Sequence, residues 1–230
     1  MHQTDPHVFN HIETGFFTRK TDAFHVMVET LCDAVIEEVS TWDGYDYYSK
    51  KLVDVRKNLI KNAQRLFDND EGDFKVLNHG DLWTNNMMFT YEDGNLKEAT
   101  LIDFQFSFFY FLFTSISDQL RDRMEELHQF YYYEMRNLLT KLGYDLESFP
   151  SLHDFHTQIL KKYFYVFTSS LLVVIPVMIS KDKDGDFETL MSRDDRALRC
   201  KRKVFKNSRY QTVAKKVLAM LDAKGILDEM

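Results

Sequence analysis

Hydrophobic residues recur every three or four positions over most of the chain, and polar residues fill the positions between them. That spacing predicts helices with one buried face each. Gly143 and Gly225 are suitable stop residues for two of these helices. The predicted helical spans are 24–39, 48–66, 120–142 and 208–225, and a further helix begins after Pro150–Ser151.

The segment from Phe74 to Phe104 has a different pattern. Apolar and aromatic runs at 87–91 and 99–102 flank a turn sequence at 92–95, which predicts two strands joined as a hairpin. With helices on either side, the chain is predicted to be α+β and mostly α. It reads as a single unit over 1–230 with a small β-hairpin insert.

One apolar stretch, Tyr163–Ser180, contains no charged residue. Its length lies at the lower limit for crossing a bilayer, and Thr168, Ser169, Ser170 and Pro176 interrupt it. We therefore predict a buried core helix there, with no membrane span.

Composition narrows the class of protein. The 36 acidic and 29 basic side chains give a net charge of −7, which disfavours general nucleic-acid binding. Two distant cysteines, Cys32 and Cys200, are too few for a disulfide framework and indicate a reducing, cytoplasmic compartment.

Candidate chemistry is concentrated at the hairpin. The residues from His79 to Asn86 read H-G-D-L-W-T-N-N, and Leu101–Gln105 reads L-I-D-F-Q. If the turn is centred between Gly94 and Asn95, Asn86 faces Asp103 at the open end of the hairpin. Asp81 lies in the loop just before the first strand. Three oxygen-bearing side chains are therefore predicted to converge.

Oxygen ligands of this kind suit Mg²⁺, which takes one or two protein groups and fills its other positions with phosphate and water. A nearby Asp can orient and deprotonate an attacking hydroxyl. Protein kinases show the same order of an Asp, an Asn five positions later and a metal-binding Asp. The alternative is purely structural, with Asp81 and Asn86 forming turns and Asp103 capping a strand.

These residues carry a family resemblance. The string V-L-N-H-G-D-L-W-T-N-N-M-M-F over 76–89, followed by Leu101–Gln105, resembles the ecdysteroid kinase-like family, also called CHK for choline-kinase-like. The resemblance extends over essentially the whole chain. It implies the C-terminal lobe of an aminoglycoside phosphotransferase and protein-kinase-like fold, with 76–105 as the catalytic loop and metal-binding hairpin.

The resemblance also implies roles for individual residues. Asp81 would be the catalytic Asp, while Asn86 and Asp103 would bind the Mg²⁺ that bridges the phosphates of ATP. His79, Gly80 and Trp83 would shape the catalytic loop. Family members phosphorylate a hydroxyl of a small-molecule alcohol, with ecdysteroids and choline-like alcohols as the associated substrates.

Two departures from the family pattern lower the expected activity. We find no counterpart in the chain for the N-terminal ATP-binding lobe, with its glycine-bearing phosphate loop, strand Lys and helix Glu. The segment after Ser107 also omits an Asp that normally steadies the catalytic loop. Losing one preorganised charge-stabilising donor costs about 3 kcal/mol, so ATP turnover by the chain alone is expected to be impaired.

Two alternatives stay open at this level. The chain could be an inactive pseudokinase that acts as a binding module for a protein partner, a missing N-terminal lobe or an apolar ligand. It could also be a membrane-associated protein anchored through Tyr163–Ser180. Weaker signals are interpreted structurally: 182–186 as an exposed acidic loop, and the basic run 193–209 as a solvated helix face.

Overall fold

The computed structural model shows a mostly helical protein with a small two-stranded antiparallel sheet. This agrees with the predicted α+β, mostly α class. The description below covers residues 23–66, 68, 87–101, 111–113, 116–147, 149–174, 189 and 191–228.

The helices and strands are numbered here in chain order. The N-terminal helices are α1 Ala23–Val39, α2 Asp46–Lys57 and α3 Leu59–Arg65. The strands β1 Met87–Glu92 and β2 Asn95–Leu101 follow. The remaining elements are α4 Asp118–Arg121, α5 Met124–Lys141, α6 Leu152–Lys161, a π-helix over Val166–Val174, α7 Asp195–Phe205 and α8 Ser208–Ala223.

Helix α1 is the centre of the core. Its predicted buried face is confirmed at Met27, Leu31, Val35 and Val39, whereas Phe24 is half-buried. The helix packs against α2, against α7 and against the π-helix. Three elements that are distant in sequence are therefore held together by one amphipathic helix.

The predicted helix over 48–66 is two helices rather than one. The backbone N–H of Asn58 donates to the carbonyl of Val55 at 3.2 Å. This bond spans three residues, as in a 3₁₀ turn, whereas an α-helical bond spans four. Asn58 has φ −114° and ψ 12°, outside the helical range, and separates α2 from α3. The break lets Leu52 and Leu59, on different helices, both enter the core.

The buried face of α5 also differs from the stripe that the sequence spacing predicts, namely Leu120, Met124, Leu127, Tyr131, Met135, Leu138 and Leu142. Met124, His128 and Tyr132 are buried, whereas Leu138 and Leu142 are 57% and 56% exposed. Tyr132 packs on Phe149 and Phe155 near the start of α6. The core therefore covers the N-terminal half of α5, and spacing alone does not show where such coverage ends.

The apolar stretch beginning at Tyr163 is buried in the core, as predicted for the part described here. Residues 163–172 are buried, and Val166–Val174 is a π-helix instead of the expected α-helix. The carbonyl of Leu171 would pair in π geometry with the N–H five residues on, but residue 176 is proline and has none. The hydroxyl of Tyr210 donates to it at 3.2 Å instead. Among the described helices, none combines the length and apolarity needed to cross a membrane.

Most of the basic run over 193–209 lies on a solvated face of α7, but Lys201 is an exception. Its side chain is 1% exposed. The Nζ atom donates to the Thr30 hydroxyl at 2.6 Å and to the Ser192 carbonyl at 2.8 Å. Burial lowers the pKa of Lys201 to about 8, because the charged ammonium is removed from water.

Replacing Lys201 with Met is expected to flatten the alkaline part of the stability profile. The unfolded lysine keeps its proton up to its ordinary pKa of 10.5, while the folded one loses it near 8. Between these values the unfolded state binds more protons, so the free energy of unfolding of the wild type rises with pH by about 3 kcal/mol.

Urea unfolding at a series of pH values measures that rise, and the informative quantity is the difference between wild type and K201M. The matched control is K203M, which removes an exposed lysine from the same helix. Its profile should parallel that of the wild type. Parallel profiles for wild type and K201M would show that the buried Lys201 does not lose its proton in this range.

Candidate functional site

The six residues assigned to the catalytic site lie outside the described residues. The geometry of the predicted constellation is therefore not visible directly, whereas the hairpin that links its two halves is. The six are His79, Gly80, Asp81, Trp83, Asn86 and Asp103.

The hairpin forms because its turn contains an Asp-Gly pair. Asp93 has φ 51° and Gly94 has φ 78°, so both central residues are left-handed, as a type I′ turn requires. Asn95 donates from its side chain to the Asp93 carbonyl at 3.4 Å. This turn twists the chain in the sense of the flanking strands, and the two strands pair directly from it.

The predicted register of the hairpin is wrong by two residues beside the turn and by one residue at the open end. The two-residue turn is Asp93-Gly94 and places Glu92 opposite Asn95, whereas the prediction centred it one residue later. A bulge then adds Lys97 to β2, and Met87 faces Leu101 rather than Ile102. The described ladder thus gives no support to a direct pairing of Asn86 with Asp103.

The strands that lead to Asn86 and Asp103 nevertheless end side by side. Met87 and Leu101 form the last described pair, and they are one and two residues from Asn86 and Asp103 along the chain. Two extended residues span at most about 7 Å. The described hairpin therefore ends at a pair of residues whose near neighbours in the sequence are the two predicted ligands.

Both faces of the described hairpin are open to solvent. Met88, Tyr91 and Leu96 are 60%, 65% and 57% exposed. Glu92 and Lys97 form an ion pair at 3.0 Å between exposed side chains. An isolated two-stranded hairpin is only marginally stable in water. The described part of the hairpin is therefore held by its turn and by the hydrogen bonds between its strands, with little contribution from burial.

A second group of residues that could bind a metal lies on two helices that follow the hairpin in the sequence. Glu125 and His128 are three residues apart on α5, and His156 is on the neighbouring helix α6. One ligand atom from each lies within 4.8 Å of the others. The His128 and His156 rings meet edge to face at 6.2 Å between centroids. This group is called the Glu-His-His cluster below.

The electrostatics of the Glu-His-His cluster keep His128 and Glu125 in their ligating forms. Burial lowers the pKa of His128 to about 4, so its imidazole is neutral near pH 7. A hydrogen bond from Lys224 holds the pKa of Glu125 below its ordinary value. Lys224 also lies over the ring of Tyr163, 4.7 Å from its centroid.

A cavity of 360 Å³ adjoins this cluster. Glu125 belongs to both, and Lys224, which donates to Glu125, also lines the cavity. Apolar contacts come from Phe113, Met124, Val217 and Met220, and the remaining lining residues are charged: Arg121, Asp122, Arg123, Glu126 and Lys216. The cavity is therefore lined by a few apolar side chains together with charged groups of both signs.

Sequence reasoning missed the Glu-His-His cluster. His156 is 28 positions after His128 in the sequence, and only the packing of α6 on α5 brings the two together. The one available signal was the spacing Glu-x-x-His at 125–128, which places a carboxylate and an imidazole on one helix face. That short pattern is common in helices without any ligand.

Comparison with known proteins gives one match. The model of the Ecdysteroid kinase-like family matches residues 1–144, which include both halves of the predicted catalytic constellation. No curated protein and no solved structure matches the chain.

Proposed function

The chain belongs to the ecdysteroid kinase-like family, and from this we propose that it is a phosphotransferase that moves a phosphoryl group from ATP to a hydroxyl of a small molecule. The observation that carries the proposal is the family match, since its range includes the residues from His79 to Asp103. A hydroxylated steroid or a choline-like alcohol is the proposed acceptor class.

The proposed catalytic residues divide the work between two tasks. Asp81 would accept the proton of the acceptor hydroxyl and orient its oxygen toward the phosphoryl group. Asn86 and Asp103 would hold Mg²⁺, and an Asn and an Asp suit that ion because it prefers oxygen ligands. When bound, Mg²⁺ neutralises charge on the phosphates. Phosphoryl transfer depends almost entirely on such positioning and charge stabilisation.

The hairpin supports this assignment in a limited way. It gives the two proposed ligands a common anchor, because β1 and β2 end together at Met87 and Leu101. Turnover by these 230 residues alone is expected to be weak, since we find no segment in them that resembles the family's glycine-bearing phosphate loop.

Calorimetric titration of Mg·ATP into the purified chain tests the proposal. We expect binding heat that disappears when EDTA removes Mg²⁺ and that falls sharply in D103N, because that variant loses a charged metal ligand. D93N is the matched control, since it removes a carboxylate of the same hairpin at the turn. Absence of heat at millimolar nucleotide would overturn the proposal. Binding without transfer to any acceptor would favour the non-catalytic alternative.

A further inference from the structure

The Glu-His-His cluster is arranged around one carboxylate oxygen. The Oε2 atom of Glu125 is 3.6 Å from Nδ1 of His128 and 3.7 Å from Nδ1 of His156. Both distances are too long for hydrogen bonds. Two imidazole nitrogens thus face the same carboxylate oxygen at nearly equal distance, from two different helices.

The spacing fits a shared metal ion. Zinc bonds of 2.0–2.1 Å in tetrahedral geometry separate two ligand atoms by about 3.3 Å. The two observed Glu–His separations of 3.6 and 3.7 Å exceed this by a few tenths of an ångström, and the ligand atoms of the two histidines lie within 4.8 Å of each other. Small side-chain rotations would close that difference, because the Glu125 side chain is 63% exposed and the His156 side chain is 34% exposed.

The type of donor selects the type of metal. Imidazole nitrogen suits zinc and other first-row transition metals, whereas Mg²⁺ and Ca²⁺ prefer oxygen ligands. Two imidazoles and one carboxylate make three protein ligands, which is the number that leaves a coordination position open on zinc. The cluster is thus chemically different from the all-oxygen set of Asp81, Asn86 and Asp103.

Lys224 has a position compatible with this role. Its Nζ atom donates to Oε1 of Glu125 at 2.8 Å, which leaves Oε2 directed at the two imidazoles. Carboxylates that bind metals are commonly held by such an outer hydrogen bond. The positive charge of Lys224 opposes a cation, but it is bound to the other carboxylate oxygen.

We propose that Glu125, His128 and His156 form a binding site for a zinc-type divalent transition metal, with one coordination position open to solvent. The site would link α5 to α6 through the metal. It is independent of the proposed phosphotransferase site, because it shares no residue with it and takes a different class of metal.

Zinc titration of the full chain, freed of metal with a chelator beforehand, tests this site. We expect one zinc ion per chain by calorimetry. Co²⁺ in the same site should give the strong visible absorption of a tetrahedral ion. Replacing His156 with Ala should weaken zinc binding by more than roughly 100-fold, since losing even an outer partner of a ligand costs 10- to 100-fold. E125Q should weaken it as well.

The matched control is H153A, which removes an exposed histidine from the same helix, one turn away. It should bind zinc as the wild type does, and excess Mg²⁺ should not displace the ion. Circular dichroism of each variant shows whether its helices are intact. Failure of the wild type to bind stoichiometric zinc would overturn the proposal, as would wild-type affinity in both H156A and E125Q.

Discussion

Replacing Asp81 with Asn is expected to lower phosphoryl transfer by about 10²- to 10⁴-fold, the usual contribution of a positioned general base. Asparagine has nearly the same size but cannot accept the proton of the acceptor hydroxyl. The loss should appear in the rate of transfer at saturating Mg·ATP. Binding of Mg·ATP should change little, because Asn86 and Asp103 are the proposed metal ligands.

D93N separates this effect from a general effect of removing an acidic residue in the same region. Asp93 is exposed, with a left-handed backbone at φ 51°, and asparagine tolerates that conformation well. We expect D93N to transfer phosphate at the wild-type rate. If D81N and D93N retain equal activity, Asp81 is not the base and the proposed catalytic loop is misassigned.

The helices could be predicted from the sequence because the hydrophobic spacing and the stop residue of each one lie within the helix itself or directly after it. The face of α1 and the end of α8 near Gly225 follow from spacing and from a glycine with φ 70°. The break at Asn58 does not follow, because asparagine inside a helix costs well under 1 kcal/mol and packing decides the outcome. The exposure of Leu138 does not follow from spacing either, because it depends on where along α5 the packing of α6 ends.

The two candidate sites differ in how much of each the sequence could predict. The hairpin required only local rules. The register error arose because the prediction centres the Asp-Gly turn one residue late, and the bulge at Lys97 reduces that error from two residues to one. The Glu-His-His cluster required a tertiary contact between two helices. No local pattern specifies that His156 meets His128.

Trp42 is expected to be among the most sensitive positions for stability. It is 7% exposed, and its Nε1 donates to Oε1 of Glu38 at 3.0 Å. Gln211 on α8 donates to the same oxygen at 2.8 Å. The buried carboxylate of Glu38 therefore holds the end of α1, the following turn and α8 in one network.

Truncating Trp42 to Ala should cost about 3–5 kcal/mol of the free energy of unfolding, the range for large aromatic side chains in cores. The indole packs edge to face on Tyr45, with centroids 5.4 Å apart, and Lys215 lies 5.3 Å from its ring. All of these contacts are lost together with the hydrogen bond. Urea unfolding followed by circular dichroism measures the change.

W42F separates the packing of the indole from its hydrogen bond. Phenylalanine keeps most of the ring but leaves Glu38 with one donor fewer, and a hydrogen bond to a charged group is worth about 1.5–3 kcal/mol. We expect W42F to lie between wild type and W42A. In an E38Q background the cost of W42F should shrink, because a neutral amide is a weaker acceptor than a carboxylate. An unchanged cost in that background would mean that Trp42 acts by packing alone.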